Sequence, residues 1–251
     1  MKNQIPNIIS IISLILSCLA IVLVFENKLD VAAYLLIGSC FCDFMDGFTA
    51  RILKVNNPIG KEIDSLVDMV AFGVAPGMLL FQFTKLLQEE NPVQLITDYP
   101  WLLYFIILIP ILSAIRLAKF NIDTRQTRSF IGLAVPAHAS FYIFSVIIYA
   151  HPDLPKIIDV NSLVIPIVSN PLVMLTFSIL LSFMLIAEVP MFSIKVKNLK
   201  WVENKLPLTF LFLLIALLIL INLVAMPIII VIYIIWSIIL KFRNKSNLEP
   251  S

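Results

Sequence analysis

Long apolar runs broken by short polar clusters recur along the whole of the 251-residue chain. A bilayer core about 30 Å thick takes roughly 20 apolar helical residues per crossing. Runs of that size fall near residues 8–26, 31–54, 59–87, 101–121, 131–150, 164–188, 207–224 and 226–242. The pattern predicts an all-α polytopic membrane protein of about eight transmembrane helices, with both termini on one side. Pro6, Pro58, Pro100 and Pro207 lie at or near the expected helix starts, where a missing amide hydrogen costs least. Pro110, Pro136, Pro166 and Pro171 fall within or beside spans, where neighbouring helices can satisfy the freed carbonyls. No repeat or linker divides the chain, so a single membrane domain over 1–251 is expected. The last two runs are almost pure hydrocarbon and are expected to pack or face lipid without carrying chemistry.

Composition agrees. The chain is 60% hydrophobic and 14% charged with a mean hydropathy of +1.00, far from the balance of a soluble domain. The first apolar run lacks a small-x-small cleavage site and is followed by further spans, so it is expected to be a retained helix. The net charge of +2 says little, but its placement says more. Of the 18 Lys and Arg, only Lys28, Lys85 and Lys156 fall on the side opposite the termini. That asymmetry predicts cytoplasmic termini. Cys18, Cys40 and Cys42 all lie in apolar segments and form neither a disulfide framework nor a CxxC metal site. No nucleic-acid partner is expected.

Against this background the stretch "DFMDGFTARILKVNNPIGKEIDSLVDMV", residues 43–70, is anomalous. Intramembrane carboxylates are costly and mark functional positions by default. Asp43, Asp46 and Gly47 are spaced to share one face near the end of the second span, and Asp64 and Asp68 one face near the start of the third. "KVNNP" reads as a short turn that makes the two helices antiparallel neighbours. Glu62 points elsewhere. Four converging carboxylates need a counter-charge, and an all-oxygen set suits Mg²⁺, Mn²⁺ or Ca²⁺ rather than zinc. Gly47, Ala50 and Gly60 leave room for a bulky ligand, and Arg51 is placed to meet a phosphate oxygen. Spacing alone leaves three readings open: a polar seam, a cation pathway, and a metal–phosphate site. A transport pathway should cross the membrane, whereas all four aspartates lie toward one face.

Written as Asp43-x2-Asp46-Gly47-x2-Ala50-Arg51-x8-Gly60-x3-Asp64-x3-Asp68, the stretch resembles the signature of the CDP-alcohol phosphotransferases. "EIDSLVDMVAFGVAPG" (62–77), "RLAKFN" (116–121), "GLAVPAHAS" (132–140) and "PMFSIKVKN" (190–198) are similar to one branch of it, the bacterial type II phosphatidylserine synthases. The resemblance covers about residues 4–200, which it implies to be a six-helix catalytic core, with 207–242 as two additional helices.

It implies transfer of the phosphatidyl group of CDP-diacylglycerol to L-serine, with choline, glycerol 3-phosphate or inositol as alternative acceptors. Asp43, Asp46, Asp64 and Asp68 would hold Mg²⁺ or Mn²⁺, with Asp68 also as general base. Gly47, Ala50, Arg51 and Gly60 would contact the CDP-lipid, and Arg116, Lys119 and Asn121, with Arg125 and Arg128 as further candidates, the acceptor. A homodimer with its active site on the cytoplasmic side of the cell membrane is implied too. The chain departs from the branch at Lys119, where Arg is usual, and at Ser13 and Ser17, where Asn and Gly are usual and where a serine would still hydrogen-bond a nucleotide. His138 and Glu188 are unusual as well and are expected to be helix-packing polar residues.

Overall fold

The computed structural model describes residues 4–54, 58–123, 130–191 and 205–246. Helix α1 (Ile5–Phe25) carries Pro at its first turn. It ends in a left-handed Asn27 (φ 60°), with Asn27 N–H bonded to Val24 O at 3.1 Å and Lys28 N–H to Leu23 O at 2.9 Å. This two-bond cap satisfies the last carbonyls and turns the chain straight back into α2 (Leu29–Leu53). The buried face of α1 is Pro6, Asn7, Ser10, Ser13, Ser17 and Ala20, while Ile8, Ile11, Ile12, Ile15 and Leu19 point outward. Small and polar side chains inside with branched apolar ones outside is the arrangement lipid favours, because close backbone approach and interhelical hydrogen bonds hold the helices together there.

Helix α3 (Pro58–Asp68) continues through a π-helical segment, Met69–Val74, into α4 (Ala75–Glu90). The Ala75 N–H bonds to Val70 O, five residues back, which identifies the wider turn. The continuous Ile59–Glu90 run of 32 residues is about 48 Å long at 1.5 Å per residue. That exceeds a bilayer core. The unbroken apolar part begins at Met69, so α3, with its charged Lys61, Glu62, Asp64 and Asp68, occupies the end that meets the headgroups.

After the short α5 (Gln94–Asp98), a 3₁₀ stretch (Pro100–Ile107) leads into α6 (Leu108–Ile122). Tyr99, Trp101 and Tyr104 are exposed at its start, as an interfacial aromatic belt requires. Helix α7 (Val135–Ala150) is the hub, packed against α2, α4, α6 and the π segment. Ten of its 16 residues are buried, so it is apolar nearly all round. Helices α8 (Asn161–Val168) and α9 (Pro171–Ile186) also contact it, bent by 77° to one another where Asn170 caps α9 through Leu172 and Val173 N–H. A two-residue antiparallel pairing of β1 (Phe130–Ile131) with β2 (Pro190–Met191) ties the segment before α7 to the one after α9.

The chain closes with α10 (Lys205–Ile221) and α11 (Ala225–Ser246). Asn222, at φ 53°, breaks them, and the Phe210 and Tyr233 rings lie 5.5 Å apart. Residues that far apart in one straight helix would be separated by about 35 Å. The two helices therefore fold back as a hairpin.

This is a multi-pass membrane protein. By length and composition five helices qualify as spans, or six if α8 with α9 is one broken span. The expected eight is not reached on that count, for two reasons. Helix α7, with 16 residues, is shorter than a full crossing, and Pro207–Phe242 enters as one run although its rings show the hairpin.

Candidate active site

Three of the four expected aspartates converge. One carboxyl oxygen each from Asp43 on α2 and Asp64 and Asp68 on α3 lie within 4.8 Å of one another. The helical spacing that put Asp64 and Asp68 on one face is what makes this possible. Asp68 Oδ1 is buried and has no hydrogen-bond partner. A hard-oxygen triad with an unsatisfied buried lone pair fits a divalent cation.

Asp46 lies outside that triad. Its Oδ2 accepts a 2.5 Å hydrogen bond from Ser10 Oγ, whose hydroxyl also approaches Pro6 O at 3.1 Å. Asp46 is 5% exposed and is held by α1. Sequence reasoning missed Ser10, and a signal existed. Ser10, Ser13 and Ser17 recur on one face of an otherwise hydrocarbon helix.

The other two serines correct an expectation. Ser13 Oγ and Ser17 Oγ lie 2.7 and 2.8 Å from Ser39 Oγ, with further bonds to the Ser39 and Ser13 carbonyls, and all three side chains are fully buried. They clamp α1 to α2, so their hydroxyls are committed to the helix seam and not to a nucleotide.

Beside the triad, Gly47 has open space where a side chain would be. A Cβ there would come no nearer than 4.0 Å to Arg51 Nη2. Arg51 is exposed and donates from Nε to Gly47 O at 2.9 Å, which lays its guanidinium along this face. Ala50 on α2 and Gly60 on α3 are partly buried. Residues 55–57 of the expected turn lie outside the described residues, as do Arg125 and Arg128.

Three contacts fix α6 against the third span. Asn121 Nδ2 donates to Ser65 Oγ at 2.9 Å. A Cβ on Gly73 would meet Ser113 Cβ at 3.2 Å, and one on Gly77 would meet Pro110 and Ile109 at 3.1 and 3.6 Å. Eight residues forward on one helix match eight back on the other, so the two run antiparallel in a single register. Arg116 then falls level with Val70, two residues beyond Asp68 and about 3 Å along the axis. Asn121 tethers the two helices through one amide hydrogen bonded to Ser65.

Arg116 is 5% exposed, and its guanidinium carbon lies 5.3 Å from the centre of the Phe120 ring. Together with Lys119, Ile122 and Asp123 it forms one wall of a cleft of about 320 Å³. The opposite wall is Ile131, Leu185, Ile186 and Glu188. Gly132, at φ +78°, makes this wall possible. Its N–H bonds to Val189 O at 2.9 Å, and a Cβ there would sit 2.4 Å from Leu185 O. His138 is fully buried, with Nε2 at 3.0 Å from Tyr142 Oη and 3.5 Å from Ser182 Oγ, which bears out its packing role. Glu188 is different. It is exposed, lies after α9 rather than in a helix, and faces the cleft.

The model of the CDP-alcohol phosphatidyltransferase family matches residues 3–168, a segment that includes the aspartate triad and α6. The chain belongs to this family. Among its relatives, a CDP-diacylglycerol–serine O-phosphatidyltransferase of Bacillus subtilis is 34% identical over 134 residues, 53% of this chain and 70% of the relative. One of the same description from Helicobacter pylori is 31% identical over 145 residues, 57% of each chain. An archaetidylserine synthase of Methanothermobacter thermautotrophicus is 30% identical over 144 residues, 55% of this chain and 57% of the relative. The match thus spans little over half of the latter two relatives. Glu188 and the α10–α11 hairpin lie beyond the family match.

Proposed function

We propose that this chain transfers the phosphatidyl group of CDP-diacylglycerol to the hydroxyl of L-serine, releasing CMP, at the cytoplasmic face of the cell membrane. The observation that carries the reading is the pairing of the Asp43–Asp64–Asp68 triad with a cleft headed by buried Arg116 in one helix register. The relatives' descriptions name serine or an archaeal serine lipid as product chemistry, in agreement. The excess of Lys and Arg on the side of the triad favours a cytoplasmic site.

In this reading Asp43, Asp64 and Asp68, with Asp46 poised by Ser10, hold Mg²⁺ or Mn²⁺. The cation, when bound, neutralises the pyrophosphate charge and so makes CMP a better leaving group. The protein groups do the rest. Gly47, Ala50 and Gly60 leave space for the cytidine, and Arg51 meets a phosphate oxygen. Asp68 accepts the serine hydroxyl proton as the serine oxygen bonds to the phosphatidyl phosphorus and the bond from that phosphorus to the CMP oxygen breaks. Arg116 and Lys119 receive the serine carboxylate, for which a planar guanidinium is the apt partner. The lipid enters sideways from the leaflet and the amino acid from water. Residues 4–200 would form the catalytic core, 207–242 an addition to it, and the working unit would be a homodimer.

Purified protein in detergent, given CDP-diacylglycerol, Mn²⁺ or Mg²⁺ and a panel of labelled alcohols, should release CMP with L-serine and yield phosphatidylserine. No release with any alcohol would overturn the enzyme reading. Release with glycerol 3-phosphate or inositol in place of serine would reassign the acceptor.

A further inference from the structure

The cleft headed by Arg116 carries two cations and an acid on one wall and a carboxylate on the other. Helix α6 supplies Arg116 and Lys119, with Asp123 at its end, and the segment after α9 supplies Glu188. Glu188 is anchored through its backbone. Its carbonyl accepts a 2.8 Å hydrogen bond from Lys241 Nζ on α11, while its carboxylate has no ion pair or hydrogen bond among the described residues. The left-handed Gly132 and the β1–β2 pairing hold this wall against α9, so the carboxylate is presented from a fixed backbone. A wall on which Arg116 and Lys119 outnumber Asp123, facing a carboxylate unengaged among the described residues, suits a small zwitterion better than an anionic or neutral alcohol. An anion such as glycerol 3-phosphate would meet repulsion at Glu188, and inositol would leave it unpaired.

We propose that Glu188 receives the α-ammonium of the incoming amino acid, and thereby selects an amino-acid acceptor over hydroxy acids of the same length. This rests on the serine-transferase reading above. It adds a specificity residue outside the matched family segment, one that the C-terminal hairpin holds through Lys241.

The test compares L-serine with 3-hydroxypropionate, which keeps the hydroxyl and carboxylate but lacks the amino group. In the unaltered protein, 3-hydroxypropionate should be used or bound at least about tenfold more weakly than serine, the worth of one charge-assisted hydrogen bond. In Glu188→Gln the KM for serine should rise by about tenfold, and the preference over 3-hydroxypropionate should shrink to within about threefold. The KM for CDP-diacylglycerol should hold within about twofold, which shows that the fold is intact, and Glu188→Asp should recover part of the serine affinity. Equal use of the two acceptors by the unaltered protein would overturn the proposal without any variant being needed. So would a Glu188→Gln protein that keeps its discrimination. If the unaltered protein releases CMP with neither compound but does so with another alcohol, the serine reading itself fails and takes this inference with it.

Discussion

Ser10 Oγ donates a 2.5 Å hydrogen bond to Asp46 Oδ2, so the first helix fixes a carboxylate that belongs to the second. A hydrogen bond to a charged acceptor is worth roughly 1.5–3 kcal/mol. Ser10→Ala should therefore lower activity by about tenfold at limiting Mg²⁺ or Mn²⁺ and raise the cation concentration for half-maximal rate. Ser10→Thr, which keeps the hydroxyl, should restore both. Metal titrations of the three proteins check this, and an unchanged metal dependence in the alanine variant would remove Ser10 as a positioning residue.

The triad divides by role. Asp43→Asn and Asp64→Asn should shift the metal requirement upward, whereas Asp68→Asn should abolish turnover even at saturating metal while CDP-diacylglycerol still binds. Single-turnover CMP release together with a lipid-binding measurement separates the two effects. Near-normal turnover in Asp68→Asn would exclude it as the base.

Gly73 lies where any side chain would press on Ser113, with Cβ to Cβ at 3.2 Å. Because that contact sets the register of Arg116 against Asp68, Gly73→Ala should cost activity more than stability, by about tenfold against about 1 kcal/mol. Adding Ser113→Gly should relieve the clash and recover most of the loss. A double variant no better than the single one would show that the two positions are not coupled.

At Gly132 both space and conformation forbid a side chain, with φ +78° and a carbonyl oxygen 2.4 Å from the Cβ position. Gly132→Ala should destabilise the protein by about 1–3 kcal/mol. Its kinetic mark should be a raised KM for the acceptor with the KM for CDP-diacylglycerol little changed, since Gly132 supports the Ile131–Glu188 wall of the Arg116 cleft. Thermal unfolding in detergent and steady-state kinetics read the two halves of this expectation.

How far the chain's letters foretold these features depends on whether the feature obeys a period. The triad was legible because helical spacing alone puts Asp64 and Asp68 on one face, and Asp43 on the facing end of its neighbour. Asp46 shares a face with Asp43 by the same rule, and only the structure reveals that Ser10 holds its carboxylate apart from the triad. Glu188 was hidden for a different reason. It follows the last turn of α9 in a non-helical segment, where no periodicity assigns a facing direction, and the α6 residues across the cleft from it are 65 or more residues earlier. The number of spans was less legible, since α7 is shorter than a full crossing and the Pro207–Phe242 run folds back on itself at Asn222.

The π-helical turn between Asp68 and Ala75 has one more consequence. No residue type encodes it, and removing any single residue from Met69–Val74 would leave the hydropathy profile and all four aspartates in place. The segment would then close into ordinary α-helix with α3 facing almost the same way relative to α4, because the wider turn absorbs one extra residue; were the same six residues to close into α-helix, α3 would swing by about 100°. Asp64 and Asp68 would then turn away from Asp43 while the membrane anchor below them stayed put. This stretch should thus tolerate the loss of one residue, which removes the wider turn but keeps the facing of Asp64 and Asp68, better than any change that closes all six residues into α-helix.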